Sequence, residues 1–162
     1  MKLFGWVGLG AALAAGGQAT AAGPPTPAGM VGAKAYVDWI YRSLPNDDFD
    51  DADGVRYAPE LRRWLERDRA WSARTGYVGA IDAVPFCDCQ DTTDNYRFES
   101  RVVKTAAGAT AHVRLRNGGW QVFRIDLIAS PRGWLVADVH SKDMPSLLAH
   151  LRREVPREEK DR

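Results

Sequence analysis

The chain has 162 residues, of which 22 are lysine or arginine and 21 are aspartate or glutamate. Basic residues alternate with acidic ones along the chain, which argues against a nucleic-acid-binding protein, because such proteins carry a basic stripe. The length fits one domain with a single core once an N-terminal export signal is set aside.

The first 22 residues have the pattern of a cleavable export signal. Lys2 supplies the basic start, residues 3–17 carry no charge, and small residues mark cleavage near Ala21 or Ala22. The apolar run is shorter than the ~20 residues of a stable bilayer span, so we expect no stable membrane anchor after cleavage. An uncleaved anchor is the alternative. The pattern predicts a periplasmic or secreted protein, and the proline-rich residues 23–32 predict a flexible linker.

Two helices are predicted in the first half of the domain. Apolar residues recur at helical spacing over residues 33–44, and again over residues 57–74, where Pro59 suits the first turn. Asp68 falls on the apolar stripe of the second helix, between Leu65 and Trp71.

From Tyr96 onward the apolar period changes from helical spacing to two. Glycine-containing turns at 106–108, 117–119 and 131–133 separate the alternating segments, which predicts a four-stranded antiparallel meander. A last helix is expected over about 145–154. The chain is therefore predicted to be α+β, with two N-terminal helices, a curved meander and a closing helix. One domain spans 33–155, and residues 156–162 form a disordered charged tail.

Several segments carry a family resemblance. They are residues 36–41, Arg-Tyr-Ala-Pro-Glu-Leu at 56–61, Pro-Phe-Cys-Asp-Cys-Gln-Asp at 85–91, Gly-Gly-Trp at 118–120 and Gly-Trp-Leu-Val-Ala-Asp-Val at 133–139. The chain resembles small secreted bacterial proteins grouped as an uncharacterised domain of unknown function, close to the cone-shaped nuclear-transport-factor-like fold. The resemblance implies export and a cone-like fold, and it carries over no catalytic residue. Some related exported proteins look like immunity or inhibitor proteins.

Cys87 and Cys89 are the only cysteines, and a single aspartate separates them. In an oxidising compartment such a pair favours a local disulfide, which would stabilise the whole fold weakly because the closed loop is so short. Free thiols, an intermolecular bridge, redox activity and metal binding remain as alternatives. We expect this loop to form a recognition edge. Its predicted binding residues are Asp88, Gln90, Asp91 and Asp94.

The turn lengths predict the register of the strands. Three-residue turns pair Arg116 with Trp120 and, at the next turn, Ser130 with Trp134. Continued along the strands, these registers place Thr110 opposite Asp126, Asp126 opposite Asp138, and Arg124 opposite His140.

A catalytic alternative follows from this register. Asp126, Asp138 and His140 would share the outward face of the sheet, where paired carboxylates and an imidazole suit acid–base chemistry of an isomerase or hydratase. The simpler interpretation is an outward polar face with cross-strand charge pairs. His150, on the last helix, is expected at the surface.

The acidic run at 46–54 resembles a calcium loop, with Asp51 and Asp53 as candidate ligands of a calcium-dependent envelope protein. In that register Phe49 takes the first ligand position and cannot bind the ion, so a solvated acidic turn is favoured. No cofactor is predicted. The leading hypothesis is a non-enzymatic binding domain for a protein or small ligand, with its oligomeric state left open.

Overall fold

The structure is a computed structural model that describes residues 29–46 and 54–160. The predicted signal at 1–22, residues 23–28 of the linker and the candidate calcium ligands Asp51 and Asp53 lie outside these ranges. The described elements are three helices and four strands. In chain order they are α1 (Gly29–Ser43), α2 (Pro59–Thr75), β1 (Arg97–Lys104), β2 (Ala109–Asn117), β3 (Gly119–Ser130), β4 (Gly133–His140) and α3 (Leu147–Glu158).

The four strands form one antiparallel sheet in the order β1-β2-β3-β4. Both the α+β class and the helix–helix–sheet–helix order are therefore confirmed. α1 packs on β1, β2 and β4, whereas α2 and α3 pack on each other and on β4. The three helices cover the face to which the apolar residues of the strands point.

The core lies between the helices and this inner face. Tyr41 of α1 is fully buried, and its ring lies 5.4 Å from the ring of Phe98 and 6.5 Å from that of Phe123. Ala111, Val113 and Leu115 of β2 are also fully buried. The burial of every second residue of β2 is the physical basis of the alternating sequence pattern.

Two helices extend beyond their predicted ends. α1 begins at Gly29, four residues before the predicted start, and its Met30 packs against the core. α3 continues through Pro156 to Glu158, although a proline in a helix lacks one backbone donor. Val155 is fully buried and Glu159 pairs with Arg67 of α2, so tertiary contacts hold the last turn of α3.

The register between β2 and β3 agrees with the predicted one, because Arg116 faces Trp120 and Thr110 faces Asp126. Between β3 and β4 the prediction for the turn is wrong, since Ser130 pairs with Gly133. This turn therefore has two residues rather than three.

A register shift further along β3 and β4 cancels this difference. Leu127 pairs with Val136 and Asp126 pairs with Asp138, which leaves Ala137 as the extra residue of a bulge. The predicted pairs Asp126–Asp138 and Arg124–His140 are confirmed, but they depend on a bulge that the sequence pattern does not reveal.

Candidate functional site

Residues 80–90, which connect α2 towards β1, are called the disulfide loop here. The Cys87 and Cys89 sulfur atoms lie 2.05 Å apart, and the two Cα atoms are separated by 5.1 Å. Both distances are those of a disulfide bond. The predicted partners are thus placed together, with Cys87 buried and Cys89 half-buried.

Backbone hydrogen bonds close the tip of this loop. The Val84 N–H donates to the Cys89 carbonyl at 2.9 Å, and the Val84 carbonyl accepts from the N–H groups of Cys87 and Asp88. Asp88 has a φ of 50°, in the left-handed region that aspartate tolerates better than most residues. The chain reverses at this residue.

An aromatic side chain anchors the loop in the core. Phe86 is fully buried, packs edge-on against Tyr41 at 6.4 Å and stacks with Tyr57 at 6.3 Å between ring centroids. Because Phe86 and Cys87 are adjacent, the buried ring holds one end of the disulfide against the core.

The start of the loop is held by two polar side chains. The Ala80 N–H donates to Asp68 Oδ1 at 2.7 Å, and the Ala80 carbonyl lies 3.0 Å from His150 Nε2. This contact requires the hydrogen of His150 to be on Nε2, since a carbonyl only accepts. Arg153 Nη2 lies 3.3 Å from the other ring nitrogen, where it can donate. His150 was expected at the surface, but it is half-buried and holds the start of the disulfide loop.

Asp68 is the one charged residue among the described residues that is buried, with 4% of its surface exposed. Burial raises the pKa of its carboxyl, while hydrogen bonds from the Ala80 and Ile81 backbone act in the opposite direction. The pKa of the nearby Glu158 is also raised, first by burial and then by the charge of Asp68. The two carboxyl groups are therefore close enough for the charge of Asp68 to oppose ionisation of Glu158.

The predicted binding residues project from this rigid frame. Asp88, Gln90, Asp91 and Asp94 are all exposed, as is Asp82. The four aspartates are called the acidic surface here, and none of them has an ion-pair partner within the described ranges.

Two cavities border the disulfide loop. One, of about 360 Å³, lies against α2, with Asp68 and Gln90 in its wall. The other, of about 180 Å³, is lined by Asp88, Asp143 and His150. The second cavity places two exposed carboxylates beside an imidazole and could accept a small basic group.

The residues of the catalytic alternative also lie close together. His140 Nε2 lies 2.8 Å from Asp126 Oδ2, and its Nδ1 lies 2.5 Å from the Pro145 carbonyl. Asp126 Oδ1 accepts a hydrogen bond from Thr110 at 2.9 Å. Both ring nitrogens of His140 thus face oxygen atoms of the protein, and the ring connects β4 to β3 and to the start of α3.

Asp138 acts as part of a helix cap. Its Oδ1 accepts from the Leu148 N–H at 2.9 Å, and its Oδ2 accepts from the Ser146 hydroxyl at 2.6 Å. Ser146 is the N-cap of α3 and accepts from the Ala149 N–H. The carboxylate is therefore engaged in holding the first turn of α3, and it lines neither cavity beside the disulfide loop.

The predicted register places His112 opposite Arg124 and Arg124 opposite His140, and the structure confirms both pairs and adds Arg101 of β1 to the row. Arg101, His112, Arg124 and His140 occupy equivalent positions on the four strands. The signal was present in the alternation of β1 and β2, where basic residues occupy the outward positions, but only the pairing of the strands brings them into one row.

Comparison of the chain with models of protein families, with curated proteins and with solved structures gave no match. Within residues 29–46 and 54–160, no helix combines the length and apolar character needed to cross a membrane. The same residues contain no cluster of three or more His, Cys, Asp or Glu side chains arranged to hold a metal ion.

Proposed function

We propose that this chain is a periplasmic or secreted binding domain of the immunity or inhibitor kind, which recognises a basic partner protein through its acidic surface. The observation that carries the proposal is the combination of a fixed backbone with exposed, unpaired carboxylates. The export part of the proposal rests on the signal-like pattern of the first 22 residues.

Rigidity is the first argument for recognition. The disulfide loop is held at Ala80 by two side chains, at Phe86 by aromatic packing, and at its tip by the cysteine pair. A surface that is already ordered loses little conformational entropy when a partner binds. The loop therefore presents Asp82 and Asp88 in a pre-organised arrangement, and Asp91, just beyond it, is held by a hydrogen bond from the Asn117 side chain to its carbonyl.

Charge is the second argument. Asp88 and Asp91 are exposed, and no lysine, arginine or histidine of the described residues pairs with either of them. Exposed charges of one sign steer a partner of the opposite sign and raise its association rate. A lysine- or arginine-rich protein segment is the chemistry that fits. A small cationic ligand in the cavity beside Asp88 and His150 is the narrower version of the same proposal.

The test compares capture by charge-matched variants. The mature protein is used as bait in a native periplasmic extract, and the recovered partner is then titrated against Asp88→Asn/Asp91→Asn. A loss of affinity of about tenfold is expected at low salt, shrinking as salt increases. Glu66→Gln/Glu99→Gln, which removes two charges from exposed acids outside the acidic surface, is the control and should change affinity less than twofold.

Two outcomes would reject the proposal. One is recovery of no partner under gentle conditions. The other is recovery of a partner whose affinity is unchanged in the double variant.

A further inference from the structure

A row of four basic side chains crosses the open face of the sheet. Arg101 of β1 pairs with His112 of β2, His112 with Arg124 of β3, and Arg124 with His140 of β4. Neighbouring strands lie about 4.8 Å apart, so the row extends over about 14 Å. It spans the full width of the sheet on the side opposite the helices, and its β4 end is covered, because the His140 side chain is only 14% exposed and contacts the Pro145 carbonyl.

An aromatic residue stands at the end of this face nearest the β2–β3 turn. Trp120 is 48% exposed, and the guanidinium carbons of Arg97 and Arg114 lie 5.4 and 4.7 Å from its ring centroid. Val122, two residues along β3, is 62% exposed. Two apolar side chains thus lie among the arginines without apolar cover.

This face carries an excess of positive charge. Five arginines belong to it, whereas its carboxylates are the three of Glu99, Asp126 and Asp138. We call these arginines the arginine face, and they are Arg97, Arg101, Arg114, Arg116 and Arg124. Glu99 lies 3.8 Å from Arg114, and Asp126 lies 3.8 Å from Arg124. Across the described residues, Arg101 and Arg116 have no ion-pair partner.

The excess of positive charge is confined to this face of the sheet. In the whole chain, 22 basic residues face 21 acidic ones, so the concentration of arginines on one side is balanced by acidic groups elsewhere. Arginine and tryptophan are the residue types most enriched at the energetic centres of protein interfaces, and arginine can bind a carboxylate through two parallel hydrogen bonds.

We propose that the arginine face, with Trp120 and Val122, is a docking surface for a protein with an acidic surface. The carboxylates of the partner would pair with Arg101 and Arg116, and an apolar side chain of the partner would cover Trp120 and Val122. This surface has the opposite charge to the disulfide loop, so the inference does not rest on the function proposed above.

The geometry favours a protein over a nucleic acid. A nucleobase would stack on the face of Trp120, where the guanidinium groups of Arg97 and Arg114 already lie. The phosphate backbone would also approach Glu99 and Asp126. An acidic protein needs no free ring face, because it can contact the exposed edge of Trp120 and the Val122 methyl groups.

The experiment measures binding of the full chain to a fluorescent peptide of 20 residues rich in glutamate and aspartate, at low salt. Arg101→Glu and Trp120→Ala should each weaken binding about tenfold, because each removes a contact that the proposal assigns to the partner, of residue types typical of interface hot spots. Arg63→Glu is the matched control, since Arg63 is exposed on α2 and also lies over a tryptophan, Trp64. It makes the same change of charge and should alter affinity less than twofold.

If Arg101→Glu fails to fold, Arg101→Gln takes its place, because it removes the charge without reversing it. It should weaken peptide binding by a smaller factor. The proposal is rejected if the peptide does not bind, or if Arg63→Glu weakens binding as much as Arg101→Glu. It is also rejected if a single-stranded oligonucleotide binds more tightly than the peptide with the same dependence on Arg101, which would indicate a phosphate ligand. Failure of this experiment would not count against the function proposed for the acidic surface, because Asp88→Asn/Asp91→Asn is tested on a basic partner.

Discussion

Asp68 of α2 and His150 of α3 bind the same residue, Ala80, from two different helices. Asp68 accepts from its N–H at 2.7 Å, and His150 Nε2 lies 3.0 Å from its carbonyl. Because both polar groups of one residue are bonded to side chains, the start of the disulfide loop is fixed against two helices without a strand partner. The position of the acidic surface therefore depends on two residues that do not belong to it.

Gly79 should tolerate no side chain, because Asp68 approaches it closely. A Cβ atom there would lie 2.5 Å from Asp68 Oδ1 and 2.6 Å from Ser72 Oγ. Gly79→Ala should therefore lower the free energy of unfolding by about 1–3 kcal/mol through overpacking, as measured by urea denaturation. Gly119→Ala is the control, because nothing lies within 4 Å of the added Cβ, and it should change stability by less than about 0.5 kcal/mol. Equal effects of the two substitutions would contradict the described approach of Asp68.

Asp68 should make the stability of the protein depend on pH. Its pKa is raised above the ordinary value of 3.8, so the folded state holds a proton that the unfolded state has already released. The contribution of Asp68 to stability should be greatest below that ordinary value and should be lost as pH rises through the higher, folded-state pKa. In Asp68→Asn, which keeps an oxygen for the Ala80 N–H, this part of the pH dependence should disappear.

Thermal unfolding at several pH values from 3 upward would measure the Asp68 effect. Glu158 contributes a dependence of the same sign, because its pKa is also raised, and Glu158→Gln separates the two contributions. The stability of the wild-type protein and that of Asp68→Asn could instead change with pH in the same way. The carboxyl group of Asp68 would then have the same pKa in the folded and unfolded states.

Ser146 should stabilise α3 through its side chain. Its hydroxyl accepts from the Ala149 N–H at 3.0 Å and donates to Asp138, so Ser146→Ala leaves one N-terminal donor of the helix unpaired. The expected loss is about 1 kcal/mol in the free energy of unfolding, typical of a removed N-cap. Urea denaturation checks the value, and Ser146→Thr, whose hydroxyl can still accept from Ala149 and donate to Asp138, should keep most of the wild-type stability. If Ser146→Ala is neutral, the cap does not stabilise α3.

The Cys87–Cys89 pair should contribute little to the stability of the whole fold. A loop of this size removes an unfolded-state entropy equivalent to about 1.5 kcal/mol, so Cys87→Ser/Cys89→Ser should cost that or less in urea denaturation. Thiol alkylation followed by mass spectrometry, without reductant, should show no labelled cysteine in wild-type protein purified from the periplasm. Two labelled cysteines would reject the bridge.

Much of the fold was predictable from local patterns. The alternation in β2 assigns Val113 to the buried face and His112 to the open face, and both assignments agree with the structure. Alternation suffices here because successive side chains of a strand point to opposite sides. Helical spacing likewise predicted that Asp68 lies on the apolar stripe of α2, where it is buried.

The bulge at Ala137 was not predictable, because it depends on how β4 fits β3 rather than on the residues of β4 alone. The same reason explains the helix ends, since the burial of Met30 and Val155 depends on a core built by distant segments. Local propensity places a charged tail after residue 155, and tertiary packing extends α3 into it.

By itself, the sequence determined the class of fold, the inward and outward positions of the strands and the closeness of the two cysteines, because each depends on residues near one another in the chain. Turn lengths predicted the polar pairs across β2, β3 and β4, whereas only the tertiary structure decided which polar groups of the helices and loops meet. Asp68 and His150 come from α2 and α3, which all four strands separate in the sequence. The arginine face forms only when strand pairing sets Arg101, His112 and Arg124 side by side. Contacts between distant residues require the complete register and packing, which no local pattern contains.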